Sequence, residues 1–209
     1  MYLQHLLLLS LWIAYCLLHS VLASSKFKLG IEKISGGFFR YYRLAYSIFA
    51  AVSLAGLLFF QCSMQSQLLV NSFFLKLAGL IILVFPGATI MMISIFKYFK
   101  LLSGVRSLYE PRPPVGLKLD GVHKFVRHPL YSGTLLFVWG LFLIFPFLNN
   151  LIAIVAITGY VVIGIKFEEK KLLKEFGNVY AEYIRDVPAL LPALNYINSK
   201  KKGQPFGHP

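Results

Sequence analysis

Five long apolar segments constrain this chain more than any other feature of its sequence. With 57% hydrophobic residues in 209, a water-soluble domain could not bury so much apolar surface. Each segment approaches the ~17–25 residues that a helix needs to cross a bilayer. We therefore predict an all-α, polytopic transmembrane bundle of about five spans, over roughly Leu3–Ala23, Tyr42–Phe60, Phe73–Phe96, Leu130–Phe147 and Leu151–Phe167.

Irregular positions within and between these segments add detail to the prediction. Pro86-Gly87 inside the third segment should kink or tilt that helix, because proline has no backbone N–H to donate. The last two segments are short, and the turn Phe145–Asn150 between them predicts a tight helical hairpin. The first segment has no basic stretch before it, so we expect an uncleaved span.

The charged residues indicate how the bundle is oriented. Of the 21 Lys and Arg residues, only Lys76 falls on the side opposite the others, and all eight acids lie on the basic side. Because basic loops stay cytoplasmic, the N-terminus should be outside and the C-terminus inside. Lys76 should extend its ammonium to the headgroup region. We expect a bacterial inner membrane, with the active site on its cytoplasmic side.

The net charge of +13 does not indicate nucleic-acid binding, because the basic residues flank apolar segments instead of interleaving with stacking aromatics. Cys16 and Cys62 lack the number and spacing of a disulfide framework or a zinc site. Membrane lipids are the expected partners, and no obligate protein partner is evident. We expect a single domain over 1–209, with three spans in 1–100, a loop, hairpin and C-terminal helix in 101–192, and a polar tail in 193–209.

Two polar clusters lie next to the fourth and fifth segments. The first, Gly121–Gly133, contains Arg127, His128 and Tyr131 where the fourth segment enters the membrane. The second is Glu168-Glu169, where the fifth segment returns to the same side. A cation, an imidazole, a phenol and two carboxylates should therefore converge at the mouth of an apolar bundle, which suits a zwitterionic cofactor.

The order of these residues resembles a known family. The motif Arg127-His128-Pro129-x-Tyr131-x-Gly133 is followed by Glu168-Glu169 and then by Leu172, Phe176-Gly177, Tyr180, Tyr183 and Pro188. It resembles the shared C-terminal region of isoprenylcysteine carboxyl methyltransferases and phospholipid methyltransferases, over about Gly121–Pro192. The sequence departs from the family pattern at Val122 and His123, where proline and an aromatic residue are usual.

The N-terminal half carries a shorter resemblance. His19–Ala23, a basic loop and Tyr41-Tyr42-Arg43 look like the start of NnrU-like proteins and methanethiol S-methyltransferases. This part of the sequence favours a small-thiol acceptor.

The family resemblance implies methyl transfer from S-adenosylmethionine, without a metal. His128 and Tyr131 would contact the cofactor, and Gly133 would leave room for it. Glu168 and Glu169 would hold its ammonium or its ribose hydroxyls. Arg127 would pair with a carboxylate of the cofactor or with an anionic group of the substrate. Arg127 and Glu168 are the catalytic candidates.

Each residue also has a structural interpretation. Arg127 is equally suited to anchoring the chain at the interface, and Tyr131 to an interfacial aromatic belt. His128 could simply begin a helix. Adjacent helical residues point about 100° apart, so we expect one of the two glutamates to face the pocket and the other to pair with basic neighbours such as Lys171 or Lys174.

Three further residues have open roles. Tyr180 and Tyr183 could line the pocket or lie on the membrane surface, and the surface role is favoured. His19 lies within an apolar span, so it should have a partner or line a cavity. Its position near the cytoplasmic end of the span is equally compatible with interfacial exposure.

The acceptor stays open among an isoprenylcysteine-like carboxylate, a lipid amine and a small thiol. A second hypothesis is an NADPH-dependent enzyme similar to the sterol reductases, although paired glutamates suit its phosphates poorly. A third is a non-enzymatic NnrU-like protein, channel, transporter or assembly factor. Transport favours ionisable groups near mid-membrane, whereas Lys76 and His19 lie near the ends of their spans.

Overall fold

The structure, a computed structural model, describes residues 2–102, 116–117, 119 and 121–192. The predicted polar tail and most of the loop that follows the third span lie outside the described residues. No β-strand forms in the part described, where an isolated bridge pairs Leu68 with Phe147. The helices are α1 (Tyr2–Ala23), α2 (Ser25–Ser35), α3 (Phe39–Ser63), α4 (Phe73–Ala78), α5 (Phe85–Leu102), α6 (Pro129–Ile144), α7 (Leu148–Phe176) and α8 (Asn178–Asp186).

The five predicted spans are helical, apart from Phe145–Phe147 at the end of the fourth, which confirms the all-α polytopic prediction. Four helical stretches are long and apolar enough to cross a membrane, while the apolar helix α6 is shorter, at 16 residues. The four are Tyr2–Ala23, Ser25–Ser63, Phe73–Lys97 and Leu148–Phe176. The orientation of the bundle stays a prediction.

The helical hairpin formed by α6 and α7 corrects two expectations. The turn is shorter than the predicted Phe145–Asn150, because it occupies only the residues between Ile144 and Leu148. The fifth span is not short, however, because α7 runs for 29 residues. Its apolar part ends near Phe167, but a run of glutamates, lysines and leucines continues the helix, since all three are good helix formers. The helix ends at Gly177, whose φ of 56° suits glycine.

A π-helical turn over Gly79–Val84 connects α4 to α5 and ends two residues before Pro86. Proline lacks an N–H, and its ring crowds the carbonyl four residues before it, here that of Ile82. The wider π turn makes room for that ring without ending the span. The irregularity predicted at Pro86-Gly87 is therefore found in the turn that precedes the proline.

Glycines let the third span pack closely against α6. A Cβ at Gly87 would lie 2.6 Å from the amide nitrogen of Phe137, and one at Gly133 would lie 2.8 Å from that of Met91. Both contacts are with backbone, so no side-chain rotation can relieve them. Small residues allow this approach in membrane helices, where packing replaces the hydrophobic drive for association.

A buried polar cluster ties the middle of α1 and the C-terminal end of α3 to the hairpin. Nε1 of Trp12 donates to Oε1 of Gln61 at 3.0 Å, and Nε2 of Gln61 donates to Oδ1 of Asn150 at 2.8 Å. Nδ2 of Asn149 donates to the carbonyl of Gln61 at 2.9 Å. Because these groups satisfy one another, the polar residues are compatible with burial at this end of the bundle.

Replacing Gly87 by alanine tests the close packing of α5 and α6. The new methyl group would meet backbone atoms, so we expect the free energy of unfolding to fall by about 1–3 kcal/mol. Gly159→Ala is the matched control, because a Cβ there meets nothing within 4 Å. Thermal unfolding in detergent should show a lower melting temperature for Gly87→Ala alone. Equal melting temperatures for the two variants would contradict this packing.

Candidate functional site

Arg127 is held by a carboxylate and by backbone carbonyls of the C-terminal segment. Its Nε and Nη2 lie 2.8 Å and 2.7 Å from Oε1 of Glu169. Its Nη1 donates to the carbonyl of Ile184 at 3.0 Å and to that of Val187. The side chain is only 9% exposed. Because the guanidinium is bound by this many protein acceptors, Arg127 links α7 to the C-terminal segment. Its predicted role toward the cofactor or the substrate stays a prediction.

His128 contacts both members of the glutamate pair. Its Nε2 lies 3.0 Å from Oε1 of Glu169, and its Nδ1 lies 3.7 Å from Oε2 of Glu168. The ring is 5% exposed and stacks on Tyr131, with ring centroids 5.6 Å apart. His128 also stands at the N-cap of α6, directly before Pro129. The predicted convergence of the two polar clusters is therefore present. We call Arg127, His128 and Glu169 together the clasp.

Backbone hydrogen bonds fasten the same motif to the segment after α8. The amide of Arg127 donates to the carbonyl of Pro188 at 2.9 Å, and the amide of His128 donates to that of Ala189 at 3.0 Å. Oγ of Ser132 donates to the carbonyl of Leu190 at 2.6 Å. These bonds hold the segment after α8 against the start of α6, which it covers.

The two glutamates differ in exposure and in partners. Glu169 is 18% exposed and belongs to the clasp, whereas Glu168 is 45% exposed. The carboxylate of Glu168 is a neighbour of Tyr131, whose ring stacks on that of His128. One glutamate thus pairs with basic neighbours, as expected, but those neighbours are Arg127 and His128 and not the lysines of its own helix. Glu168 is the carboxylate that remains available to a ligand.

Two glycines border this arrangement differently. Gly133, predicted to leave room for the cofactor, faces the α5 backbone at packing distance, and its cofactor contact stays a prediction. Gly164 lies one helical turn before Glu168 on α7, and a Cβ there would meet nothing within 4 Å. Open space therefore borders Glu168. Gly164 was not among the residues predicted from the sequence, although it stands four residues before Glu168.

The favoured surface role of Tyr180 and Tyr183 is wrong. Tyr180 is 1% exposed, and both tyrosines pack with Val187 in a core beneath the segment that follows α8. The hydroxyl of Tyr183 donates to the carbonyl of His123 at 2.6 Å. Burial, followed by the nearby carboxylate of Glu169, raises the pKa of Tyr180 to about 12. Tyr180 is therefore a buried, neutral phenol in the core beside the clasp.

His123, where the sequence departs from the pattern of the family it resembles, contacts the backbone of the Arg127 motif. Its Nδ1 lies 3.1 Å from the carbonyl oxygen of Arg127, four residues on. Together with the bond from Tyr183, this contact stabilises the turn that leads into the clasp.

His19 has a partner and also lines a groove, as one of its two interpretations required. The hydroxyl of Tyr46 lies 2.9 Å from its Nε2, and its ring packs near those of Tyr15 and Tyr160. The groove lies between α1 and α3, and its volume is about 290 Å³. His19 is half-buried in this groove, so simple interfacial exposure is not its environment.

Comparisons with known proteins agree on a family of methyltransferases. The model of the phospholipid methyltransferase family matches residues 81–179. A methanethiol S-methyltransferase of Crocosphaera subtropica is 30% identical over 192 residues, which cover 86% of this chain and 71% of that protein. The protein-S-isoprenylcysteine O-methyltransferase of Schizosaccharomyces pombe is 32% identical over 37% of this chain and 34% of its own length.

Other relatives match over less of their length. The chain spans about a third of methanethiol S-methyltransferase 2 of Bradyrhizobium diazoefficiens, at 34% of its length and 37% identity. It spans 41% of the methanethiol S-methyltransferase of Mycobacterium tuberculosis, at 31% identity. No solved structure matches the chain.

Removing the carboxylate of Glu169 should destabilise the chain far more than removing that of Glu168. Glu169→Ala leaves the guanidinium of Arg127 without its anion, and breaking a buried ion pair on one side costs about 3–5 kcal/mol. Because Glu169 keeps 18% exposure, we expect about 3 kcal/mol. Glu168→Ala, the adjacent control, should change stability little. Thermal unfolding in detergent measures both, and equal effects would show that the clasp does not stabilise the fold.

Proposed function

This chain belongs to the phospholipid methyltransferase family of membrane methyltransferases, together with the methanethiol S-methyltransferase of Crocosphaera subtropica, and from this we propose that it transfers a methyl group from S-adenosylmethionine. The observation that carries the proposal is the division of the glutamate pair. Glu169 is engaged in the clasp, while Glu168 is 45% exposed beside His128 and Tyr131. The reaction takes place on the cytoplasmic side of a bacterial inner membrane.

The residues present fit the polar part of S-adenosylmethionine. Glu168 is a carboxylate suited to an ammonium or to a pair of ribose hydroxyls. Tyr131 offers a phenol and a ring face, and His128 supports that ring by stacking at 5.6 Å. Space beside Gly164 lies on the same face of α7 as Glu168. The cofactor therefore binds between the start of α6 and the end of the apolar part of α7.

When bound, S-adenosylmethionine supplies an electrophilic methyl group on a sulfonium sulfur. The chain's own residues contribute binding, alignment and the exclusion of water. Glu168 holds the cofactor, Tyr131 closes one side, and the segment after α8 covers the start of α6. Arg127 acts through Glu169 and the carbonyls of Ile184 and Val187, so its role is to position this cover.

The acceptor is apolar and reaches the site from the membrane. The relatives whose printed names specify methanethiol favour a thiol over an amine or a carboxylate. In S-methylation the thiol sulfur forms a bond to the methyl carbon, the bond from that carbon to the sulfonium sulfur breaks, and the thiol proton leaves to solvent. No metal is required for this displacement.

Calorimetric titration with S-adenosylmethionine tests the cofactor. Wild-type protein in detergent should bind S-adenosylmethionine and its demethylated product, because both carry the ammonium and the ribose. Glu168→Gln keeps the shape but removes the charge, so affinity should fall about tenfold or more, the effect of about 1.5–3 kcal/mol for a charged hydrogen bond. Folded wild-type protein that binds neither ligand would refute the proposal.

A glycine pair supplies a steric test of the same site. Gly164→Phe should fill the space beside Glu168 and abolish cofactor binding, since the new ring projects from the same face of α7. Gly159→Phe is the matched control on the same helix, because Gly159 is exposed and a Cβ there also meets nothing within 4 Å. If both variants bind S-adenosylmethionine equally, the cofactor does not occupy this face of α7.

A further inference from the structure

The groove between α1 and α3 is apolar along its length and polar at one end. Leu11 and Phe60 lie at its apolar end. At the other end lie His19 and Tyr46, which contact each other at 2.9 Å, and Tyr15. The hydroxyl of Ser53 within the groove already donates to the carbonyl of Phe49 at 2.6 Å. The groove is therefore shaped for a molecule with one weakly polar end and an apolar body.

The polar end of the groove lies toward the proposed cofactor site. The ring of His19 is 6.1 Å from that of Tyr160, edge to face. Tyr160 stands two turns before Glu168 on α7, and its hydroxyl accepts from Oγ of Ser20, the residue after His19, at 3.4 Å. The polar end of the groove therefore packs against α7, the same helix that carries the carboxylate proposed to hold the cofactor.

We propose that this groove binds the methyl acceptor, and that the acceptor is a thiol with an apolar chain, dissolved in the membrane. This inference rests on the proposed methyl transfer. It extends that function, because the acceptor is larger than the methanethiol in the names of the relatives. The thiol lies at the His19 and Tyr46 end, and the chain extends along α1 and α3 toward Leu11 and Phe60.

The size of the groove supports a chain. A volume of about 290 Å³ is about twice that of a ~150 Å³ apolar cavity that binds benzene, so the groove can hold about ten heavy atoms. Methanethiol has two heavy atoms, so it would leave most of the walls without contacts and lose their dispersion energy. An alkyl or isoprenoid chain of medium length would fill the same space.

The chemistry of the walls supports a neutral head. No lysine, arginine, aspartate or glutamate is among the residues that line the groove. A carboxylate or an ammonium would lose its hydration there without an opposite charge to compensate. A thiol is uncharged and donates only a weak hydrogen bond, which an imidazole nitrogen or a phenol oxygen can accept.

The groove is also open to the membrane. Leu11, Leu18 and Phe49 along its walls are 38%, 51% and 50% exposed. In a helix bundle of this hydropathy, those surfaces face lipid. An apolar thiol can therefore enter sideways from the bilayer, while the cofactor comes from the aqueous side.

Gly56 offers a way to fill the groove without disturbing its walls. It lines the groove on α3, and a Cβ there would meet nothing within 4 Å. Phenylalanine at this position should project into the space that the chain occupies. Gly56→Leu is a smaller second variant, and Gly159→Phe is the matched control on α7. Melting temperatures in detergent identify the variants that fold.

Photolabelling of the purified full chain measures occupation of the groove without the cofactor. The probe is an octanethiol that carries a diazirine at its far end, with excess 1-octanethiol as competitor. We expect saturable labels on α1 and α3 in wild type and in Gly159→Phe. Labelling should fall at least tenfold in Gly56→Phe, and less in Gly56→Leu. The inference is overturned if labelling is unchanged in Gly56→Phe, or if excess 1-octanethiol does not reduce it. Either result would mean that lipid occupies the groove.

Turnover with S-adenosylmethionine then separates the two proposals. We expect kcat/KM for 1-octanethiol to exceed that for methanethiol, and the ratio of the two to fall at least tenfold in Gly56→Phe. If methanethiol is methylated and 1-octanethiol is not, the acceptor inference fails while the proposed function stands. If the wild type methylates neither thiol and does not bind S-adenosylmethionine, the proposed function fails, and the acceptor role of the groove fails with it.

Discussion

The carboxylate of Glu169 is the interaction on which the rest of the candidate site depends. It accepts from Arg127 and contacts His128, and thereby joins the start of α6 to the end of α7. Arg127 in turn holds the carbonyls of Ile184 and Val187. One oxygen thus links three parts of the chain that are distant in sequence. In a weakly polar environment such a network is stable only while all its members are present.

The clasp also explains how two identical neighbours acquire different roles. Consecutive residues on a helix point about 100° apart, so α7 cannot present Glu168 and Glu169 to one partner. Once Glu169 is committed to Arg127, the rotation of α7 is set and Glu168 turns toward Tyr131 and open space. The burial of one carboxylate leaves its neighbour available for a ligand.

Much of the fold was predictable from the sequence, because a bilayer demands long apolar runs whose backbone bonds are satisfied internally. The convergence of Arg127 and His128 with the glutamates was predictable too, since a tight hairpin returns the chain to the same side. Which glutamate faces outward was not, because it depends on the rotation of α7. Nor was the burial of Tyr180 and Tyr183, which needs the segment after α8 to fold back over α6, a long-range contact without a local signal.

The unequal lengths of the hairpin helices account for the position of the site. At a rise of 1.5 Å per residue, His128 lies about 25 Å along α6 from the turn, and Glu169 about 33 Å along α7. The difference is closed because helical side chains lean toward the N-terminus of their helix, which for α7 is back toward the turn. The glutamates therefore lean back along α7 toward the motif at the start of α6. Because α6 has 16 residues and spans less than the ~30 Å of hydrocarbon, its polar start lies closer to the turn than a helix of full membrane length would place it.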